Sequence, residues 1–167
     1  MADAAAAAAA RTSAGLLLHR PGAGGPGAPE VLLGHMGGPF WARKPHAWTV
    51  PKGEPLPGED PHATALREFA EEVGVPAPDG ADVDLGEVRQ RAGKVVRVWA
   101  RAASLDLDAP RGPVSEVTVD WPPRSGRTVT FPELDELRWV PVEEARGLVV
   151  TAQAEFLDRL LGLLAGG

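Results

Sequence analysis

The reading of this chain turns on Gly53-Glu54-Pro55-Leu56-Pro57-Gly58-Glu59-Asp60-Pro61-His62-Ala63-Thr64-Ala65-Leu66-Arg67-Glu68-Phe69-Ala70-Glu71-Glu72-Val73-Gly74-Val75. Asp60 is a good N-cap, Pro61 suits the first position of a helix, and Gly74 suits a left-handed C-cap. These signals predict a helix over 61–73. Ala63, Leu66, Ala70 and Val73 recur at helical spacing and are the expected buried stripe. Glu68, Glu71 and Glu72 then share a face, since residues three and four apart on a helix are neighbours. Like charges so placed repel unless something positive lies between them, and a hard divalent cation takes oxygen ligands. A charge run on a helix is ordinarily a solvated face. The fixed spacing of the surrounding residues argues against that reading here.

The spacing is G-x5-E-x7-R-E-U-x-E-E-x-G-U, with Gly53, Glu59, Arg67, Glu68, Phe69, Glu71, Glu72, Gly74 and Val75 at the fixed and bulky positions. This pattern resembles the signature box of the Nudix hydrolases, without a departure inside it. The resemblance implies an α/β fold, specifically an α/β/α sandwich with a mixed β-sheet. It also implies cleavage of a pyrophosphate bond in a nucleoside diphosphate-linked substrate, with Mg2+ or Mn2+ as cofactor. Glu71 and Glu72 are the first candidates as metal ligands. Glu68 is a ligand or the general base. Glu59 either supports a second ion or pairs with Arg67, which in the family orients the carboxylates through such a salt bridge. Gly53 belongs with the metal-binding set, and it lets the loop bend tightly before the helix. A base outside the box also occurs in the family, before the final strand, and Glu133 stands six residues ahead of Trp139.

Around the box, 13–20 and 30–35 read as strands joined by a Gly/Pro loop over 21–29. Residues 36–45 read as a loop and 48–50 as a short strand. Further strands are expected over 83–90, 94–102 and 137–140, with weak alternation over 115–120. Trp121-Pro122-Pro123-Arg124-Ser125-Gly126 cannot be strand interior, because proline cannot donate to the ladder. A brief helix begins at Pro141. An amphipathic helix over 152–164 places Phe156, Leu157, Leu160, Leu161 and Leu164 on one side. An Ala-rich tail over 1–12 precedes one domain over 13–167.

Among residues outside the box, Lys52 can meet a phosphate or a box carboxylate, and Arg43 can face polyphosphate. His46 is the histidine nearest the box. Trp48 and Trp121 are candidate substrate contacts, and Trp121, in its Pro/Gly loop, is the favoured partner for a stacked base. The chain has 167 residues, a net charge of −6 and no cysteine. The charge argues against general nucleic-acid binding and against trimming RNA 5′ ends. Without cysteine there is neither a disulfide framework nor a thiolate nucleophile, which is compatible with a cytoplasmic setting. No stretch reaches the ~18 apolar residues of a membrane span. Trp48-x-x-Pro51-Lys52-Gly53 followed by Gly58-Glu59-Asp60 is similar to the diadenosine polyphosphate hydrolase branch. The Trp121–Gly126 segment and Phe131-Pro132-Glu133 resemble bacterial proteins described as predicted nucleoside triphosphate pyrophosphohydrolases. A dinucleoside polyphosphate is the favoured small-molecule substrate. Nucleoside triphosphates, and ADP-ribose or another nucleotide sugar, are the alternatives. A module that senses a nucleotide without cleaving it is the reading of another class.

Overall fold

Three consecutive leucines explain the layering. In the computed structural model, which describes residues 11–167, Leu16, Leu17 and Leu18 lie on strand β1 (Thr12–Gly22) and are fully buried. Successive strand side chains point to opposite faces. Leu16 and Leu18 therefore join one apolar cluster and Leu17 joins another. Burying each leucine contributes ~1.5–3 kcal/mol, so a strand apolar on both sides is stable only with a layer on each face.

Those layers come from the rest of the chain. β2 (Gly25–Met36), β3 (Trp48–Thr49) and β4 (Lys52–Gly53) lead into helix α1 (Pro61–Val73). Next come β5 (Asp82–Arg89), β6 (Val95–Ala102), β7 (Glu116–Asp120), β8 (Thr128–Pro132) and β9 (Leu134–Pro141). Helices α2 (Val142–Ala145) and α3 (Ala154–Ala165) close the chain. β1 runs parallel to β6 and antiparallel to β2 and β4, while β9 and β3 pair with β2 and β5 pairs with β6. The result is a seven-stranded mixed sheet. α1 covers one face through Ala65, Phe69 and Val73, packed with Leu16, Leu18 and Leu32. α3 covers the other through Phe156, Leu157 and Leu160, packed with Leu17, Val31 and Leu33. β7 and β8 form a separate two-stranded hairpin. Among the described residues no helix is long and apolar enough to cross a membrane.

A buried ion pair ties β5 to β6. Arg101 donates to Asp82 Oδ1 from Nε at 2.6 Å and to Oδ2 from Nη2 at 2.7 Å. His62 Nε2 of α1 lies 2.7 Å from Asp82 Oδ2 and brings the helix into the same network. Burial pushes the Asp82 carboxyl upward, but the bonds from Arg101 and His62 outweigh it and hold the group below its ordinary value.

Several expectations need correction. The two first strands extend across the predicted Gly/Pro loop at 21–29, with Pro21 paired to Pro29 and Gly22 to Gly25. The glycines and prolines thus sit on a projecting hairpin rather than in a loop. The buried stripe of α1 is Thr64, Ala65, Glu68, Phe69, Glu72 and Val73; Ala63 is exposed, and Leu66 and Ala70 are only partly buried. The helix is rotated so that the phenylalanine, its largest apolar side chain, enters the core, and two glutamates turn inward with it. β8 forms over residues for which no strand was expected, and β9 is longer than predicted. In α3, Leu164 is exposed. The Ala-rich tail lies outside the described residues except at Arg11 and Thr12, where β1 begins.

Candidate active site

The helix over 61–73 forms as its caps predict. The Asp60 side chain accepts from the Ala63 N–H at 3.1 Å, and Gly74 takes φ +88°, which favours glycine. The inward rotation aims Glu68 and Glu72 at β4. The Lys52 N–H donates to Glu72 Oε2 at 3.0 Å. Gly53 lies so close to Glu68 that an added Cβ would stand 2.0 Å from its carboxyl carbon. The glycine is therefore required by space at the site.

A third carboxylate comes from the opposite side. Glu133 sits between β8 and β9 and is held at its backbone, its N–H donating to Ser115 O at 3.0 Å and its carbonyl accepting from the Gly37 N–H at 2.9 Å. Ser115 Oγ donates to Glu133 Oε2 at 3.1 Å. One oxygen each from Glu68, Glu72 and Glu133 lie within 4.8 Å of one another. Burial pushes Glu72 up to about 8, against the Lys52 ammonium and N–H, while Glu133 and Glu68 push it further up. Burial also raises Glu68, opposed by Arg67. Burial, with the like charge of Lys94, lowers Lys52. Three oxygen donors crowded in this way fit a hard divalent cation, which takes carboxylate oxygens and tolerates few protein ligands.

Arg67 organises the helix side. Its Nε and Nη2 grip Glu59 Oε2 and Oε1 at 2.8 and 2.9 Å. Nη1 donates to Glu68 at 2.9 Å and to Glu71 at 3.0 Å, and Nη2 donates to the Glu54 carbonyl at 3.0 Å. The Arg67 bonds, with those from Thr64 and Leu56, hold Glu59 down to about 2. Of the two roles expected for Glu59, its geometry matches the pairing with Arg67.

Glu68, Glu71, Glu72 and Glu133 line a cleft of about 770 Å3. A family model described as the NUDIX domain matches residues 9–160. The chain belongs to the Nudix family. A rat bis(5′-nucleosyl)-tetraphosphatase (asymmetrical), Rattus norvegicus, is 41% identical over 69 residues, a segment covering 38% of this chain and 47% of that relative. The match therefore spans about half of the relative's length. A solved Caenorhabditis elegans Ap4A hydrolase, in a binary complex, superposes with a TM-score of 0.64 at 24% identity, covering 93% of this chain and 99% of that one. A Nudix hydrolase from M. smegmatis, RenU, superposes with a TM-score of 0.56 at 26% identity over 94% of this chain and 87% of that one. At 24% identity the C. elegans structure shows likeness of fold alone.

Relative to the Nudix box, the remaining predicted residues divide. Lys52, Gly53, Glu71 and Trp121 line the cleft with Glu68, Glu72 and Glu133. Glu71 is exposed at its rim, tied to Arg67, and lies outside the three-oxygen cluster. Trp48, His46 and Arg43 do not line the cleft. Trp48 is buried under the guanidinium of Arg138, at 4.6 Å from the ring centroid. His46 is exposed, with Nδ1 3.1 Å from the Val149 carbonyl, and Arg43 is exposed. The cleft also includes Lys94, Phe40, Val117, Val119 and Phe131, none of which the motif identifies. Lys94 follows a short turn and carries no local pattern. Phe40, beside Gly37-Gly38 and Trp41, could have been found as an aromatic pair in a glycine-rich loop.

Proposed function

We propose that this Nudix chain is an enzyme hydrolysing a pyrophosphate bond in a nucleoside diphosphate-linked substrate, and that a dinucleoside polyphosphate is its substrate. The observation that carries the reading is the convergence of Glu68 and Glu72 with Glu133, from a different part of the chain, within 4.8 Å. Glu68 and Glu72 are the metal ligands, with Gly53 beside them and Glu71 at the rim. When bound, Mg2+ or Mn2+ neutralises phosphate oxygens and lowers the pKa of a water. Glu133 is the base. Its backbone is fixed on both sides and Ser115 holds one carboxylate oxygen, leaving the other to accept the water's proton. The water oxygen bonds to phosphorus, the anhydride P–O bond breaks, and the electron pair leaves with the departing phosphate. Lys52 and Lys94 line the cleft and offset the charge of the chain of phosphates. Arg67 keeps Glu68 in place while itself gripped by Glu59.

The partly matched rat tetraphosphatase supports the dinucleoside polyphosphate over the alternatives. The retained box carboxylates support turnover over mere sensing. The test is hydrolysis of a panel of adenosine polyphosphates, nucleoside triphosphates and ADP-ribose with magnesium, with product identification in oxygen-18 water. Magnesium-dependent cleavage of diadenosine tetraphosphate, with label in one phosphate product, is the expected result. Preference for triphosphates or ADP-ribose would move the substrate assignment. Binding without turnover on every member would overturn the hydrolase reading.

A further inference from the structure

Gln153 is a polar side chain only 1% exposed, far along the chain from the box. It ends a short 3₁₀ turn, Thr151–Gln153, that leads into α3. A buried amide costs free energy unless its donors and acceptor are bonded. Here they are. Trp48 already runs beside the 148–150 segment: its N–H donates to the Leu148 carbonyl at 3.1 Å, and its carbonyl accepts from the Val150 N–H at 2.9 Å. Past Val150 the main chain enters the turn, and the Gln153 side chain carries the pairing on. Its Oε1 accepts the Val50 N–H at 3.0 Å. Its Nε2 donates to Thr49 Oγ1 at 2.9 Å, and that hydroxyl donates to the Val50 carbonyl at 2.9 Å. The amide thus holds Val50 directly at its N–H and through Thr49 at its carbonyl. The next links lead into the site. The Pro51 carbonyl accepts from the Leu16 N–H at 3.2 Å, and the Lys52 N–H donates to Glu72.

Nε2 also reaches the other way, donating to Gln90 Oε1 at 3.0 Å. Gln90 follows β5 and opens the turn that delivers Lys94. Its N–H donates to the Lys94 carbonyl at 2.7 Å, and its carbonyl accepts from the Gly93 N–H at 3.2 Å. Those bonds shape the turn from within; its place against the Lys52 segment needs a bond between segments. The Lys94–Glu54 ion pair, at 3.9 Å with the Glu54 side chain 58% exposed, holds little. The Gln153 amide supplies the tie from the buried side. Lys52 and Lys94 both line the cleft, and Gln153 does not. We propose that Gln153 is a positioning residue: it ties the Lys52 segment to the Lys94 turn and so fixes the placement of two cations that receive a chain of phosphates. This rests on the phosphate-hydrolysing reading and adds to it the device that sets those cations against each other.

The experiment is calorimetric binding, in magnesium, of bis(methylene) triphosphate, a base-free chain that is not hydrolysed. Wild type, Gln153→Met, Gln90→Met and Lys94→Met are compared, with Gln90→Met also made in the Lys94→Met background and a thermal melt of each. Methionine keeps the length and removes the amide. Gln90 is only partly buried, so Gln90→Met remains the test where Gln153→Met does not fold. Residues of one hydrogen-bond network couple by roughly 2- to 100-fold. Affinity is expected to fall at least about threefold in Gln90→Met, with Tm within about 4 °C of wild type, and to fall no further beside Lys94→Met. A folded Gln153→Met, which cuts both branches, loses at least as much. In hydrolysis of the best polyphosphate the loss falls on KM more than on kcat. A smaller loss than threefold in Gln90→Met overturns the proposal, as does an equal loss with and without Lys94, or a loss carried by kcat alone. In each case wild-type hydrolysis of the polyphosphate panel stays intact, so the hydrolase reading survives. If wild type neither binds the probe nor hydrolyses any panel member, the hydrolase reading fails and the positioning role falls with it.

Discussion

Gly53→Ala isolates the positioning of Glu68. The backbone at Gly53 does not take a positive φ, so alanine is conformationally allowed. The added Cβ would lie 2.0 Å from Glu68 Cδ and 2.1 Å from Oε2, where ordinary contact begins near 3.4 Å. The carboxylate must therefore retreat by about 1.4 Å, the difference between those distances. It is the end of a flexible side chain, so it moves more readily than β4. Arg67 does not follow, because Glu59, Glu71 and the Glu54 carbonyl still hold it. Displacing a group of the reacting centre by about 1 Å can cost on the order of 10²-fold in rate. Stability changes little. Replacing glycine at a compatible backbone contributes about 0.4–1 kcal/mol through the unfolded chain, which offsets the steric cost, so Tm stays within about 4 °C. Gly15→Ala provides the contrast. There the Cβ would meet the Pro51 backbone oxygen at 2.7 Å, and backbone cannot rotate away. The assay is magnesium-dependent kcat on the best polyphosphate of the panel, alongside a thermal melt. Turnover within threefold of wild type would refute the claim that this glycine makes room for a working carboxylate. A loss of more than about 10 °C in Tm would refute the confinement of the clash to that side chain.

Glu72→Gln and Glu133→Gln should each lower kcat by at least about 10²-fold with folding retained, since a metal ligand and a proton acceptor are lost; wild-type rates in either would remove that residue from the chemistry. Glu59→Gln removes the bidentate grip on Arg67 and should reduce turnover less than Glu72→Gln does, because Arg67 retains its bonds to Glu68, Glu71 and the Glu54 carbonyl; an equal loss in both variants would show that Glu59 acts directly. Arg101→Ala removes both guanidinium bonds from Asp82 and leaves it the His62 contact, so it should destabilise the fold by less than the about 3–5 kcal/mol of a fully uncompensated buried charge. The pair also sets an acid limit. The Asp82 carboxyl is held below its ordinary value, so its stabilisation is present above the unfolded-state pKa and is lost as pH falls through the lower folded value. Urea titrations across that acid range should show wild type losing stability more steeply than Asp82→Asn, and parallel curves would remove Asp82 from the acid response.

The box was legible because its signals are local. A cap, a proline at the first turn and a left-handed glycine act within a few residues, and all three appear where Asp60, Pro61 and Gly74 predict them. The rotation of the helix was not local. Helical spacing fits the expected Ala63–Leu66–Ala70–Val73 stripe, but it fits one through Ala65, Phe69 and Val73 equally well, and spacing alone does not choose between them. What decided otherwise was Phe69, whose burial against Leu16, Leu18 and Leu32 outweighs that of alanines. Turning it inward carried Glu68 and Glu72 with it and left Glu71 at the rim. The sequence alone groups the three box acids; in the fold, only two of them meet Glu133.

The aromatic lining of the cleft was harder to read for a different reason. A strand that packs on a core declares itself by a strong apolar period, whereas Glu116–Asp120 and Thr128–Pro132 show only a few valines and one phenylalanine between polar residues. That weakness follows from the place of the hairpin. Its inner face covers a cleft instead of a core, so it needs only enough apolar surface to form a wall, and its outer face is free to be polar. The acids were findable because divalent-ion chemistry demands fixed donor types at fixed spacing. An apolar wall demands only apolar surface from whatever elements reach it, here a loop at 37–41 and a hairpin some eighty residues later. Their meeting is set by the register of β9 on β2, in which Met36 faces Leu134, and by the Gly37–Glu133 hydrogen bond beside it. The same pairing that brings Glu133 to Glu68 and Glu72 thus brings Phe131 and the loop at 37–41 together at the cleft, so acids and aromatic residues alike depend on one strand register.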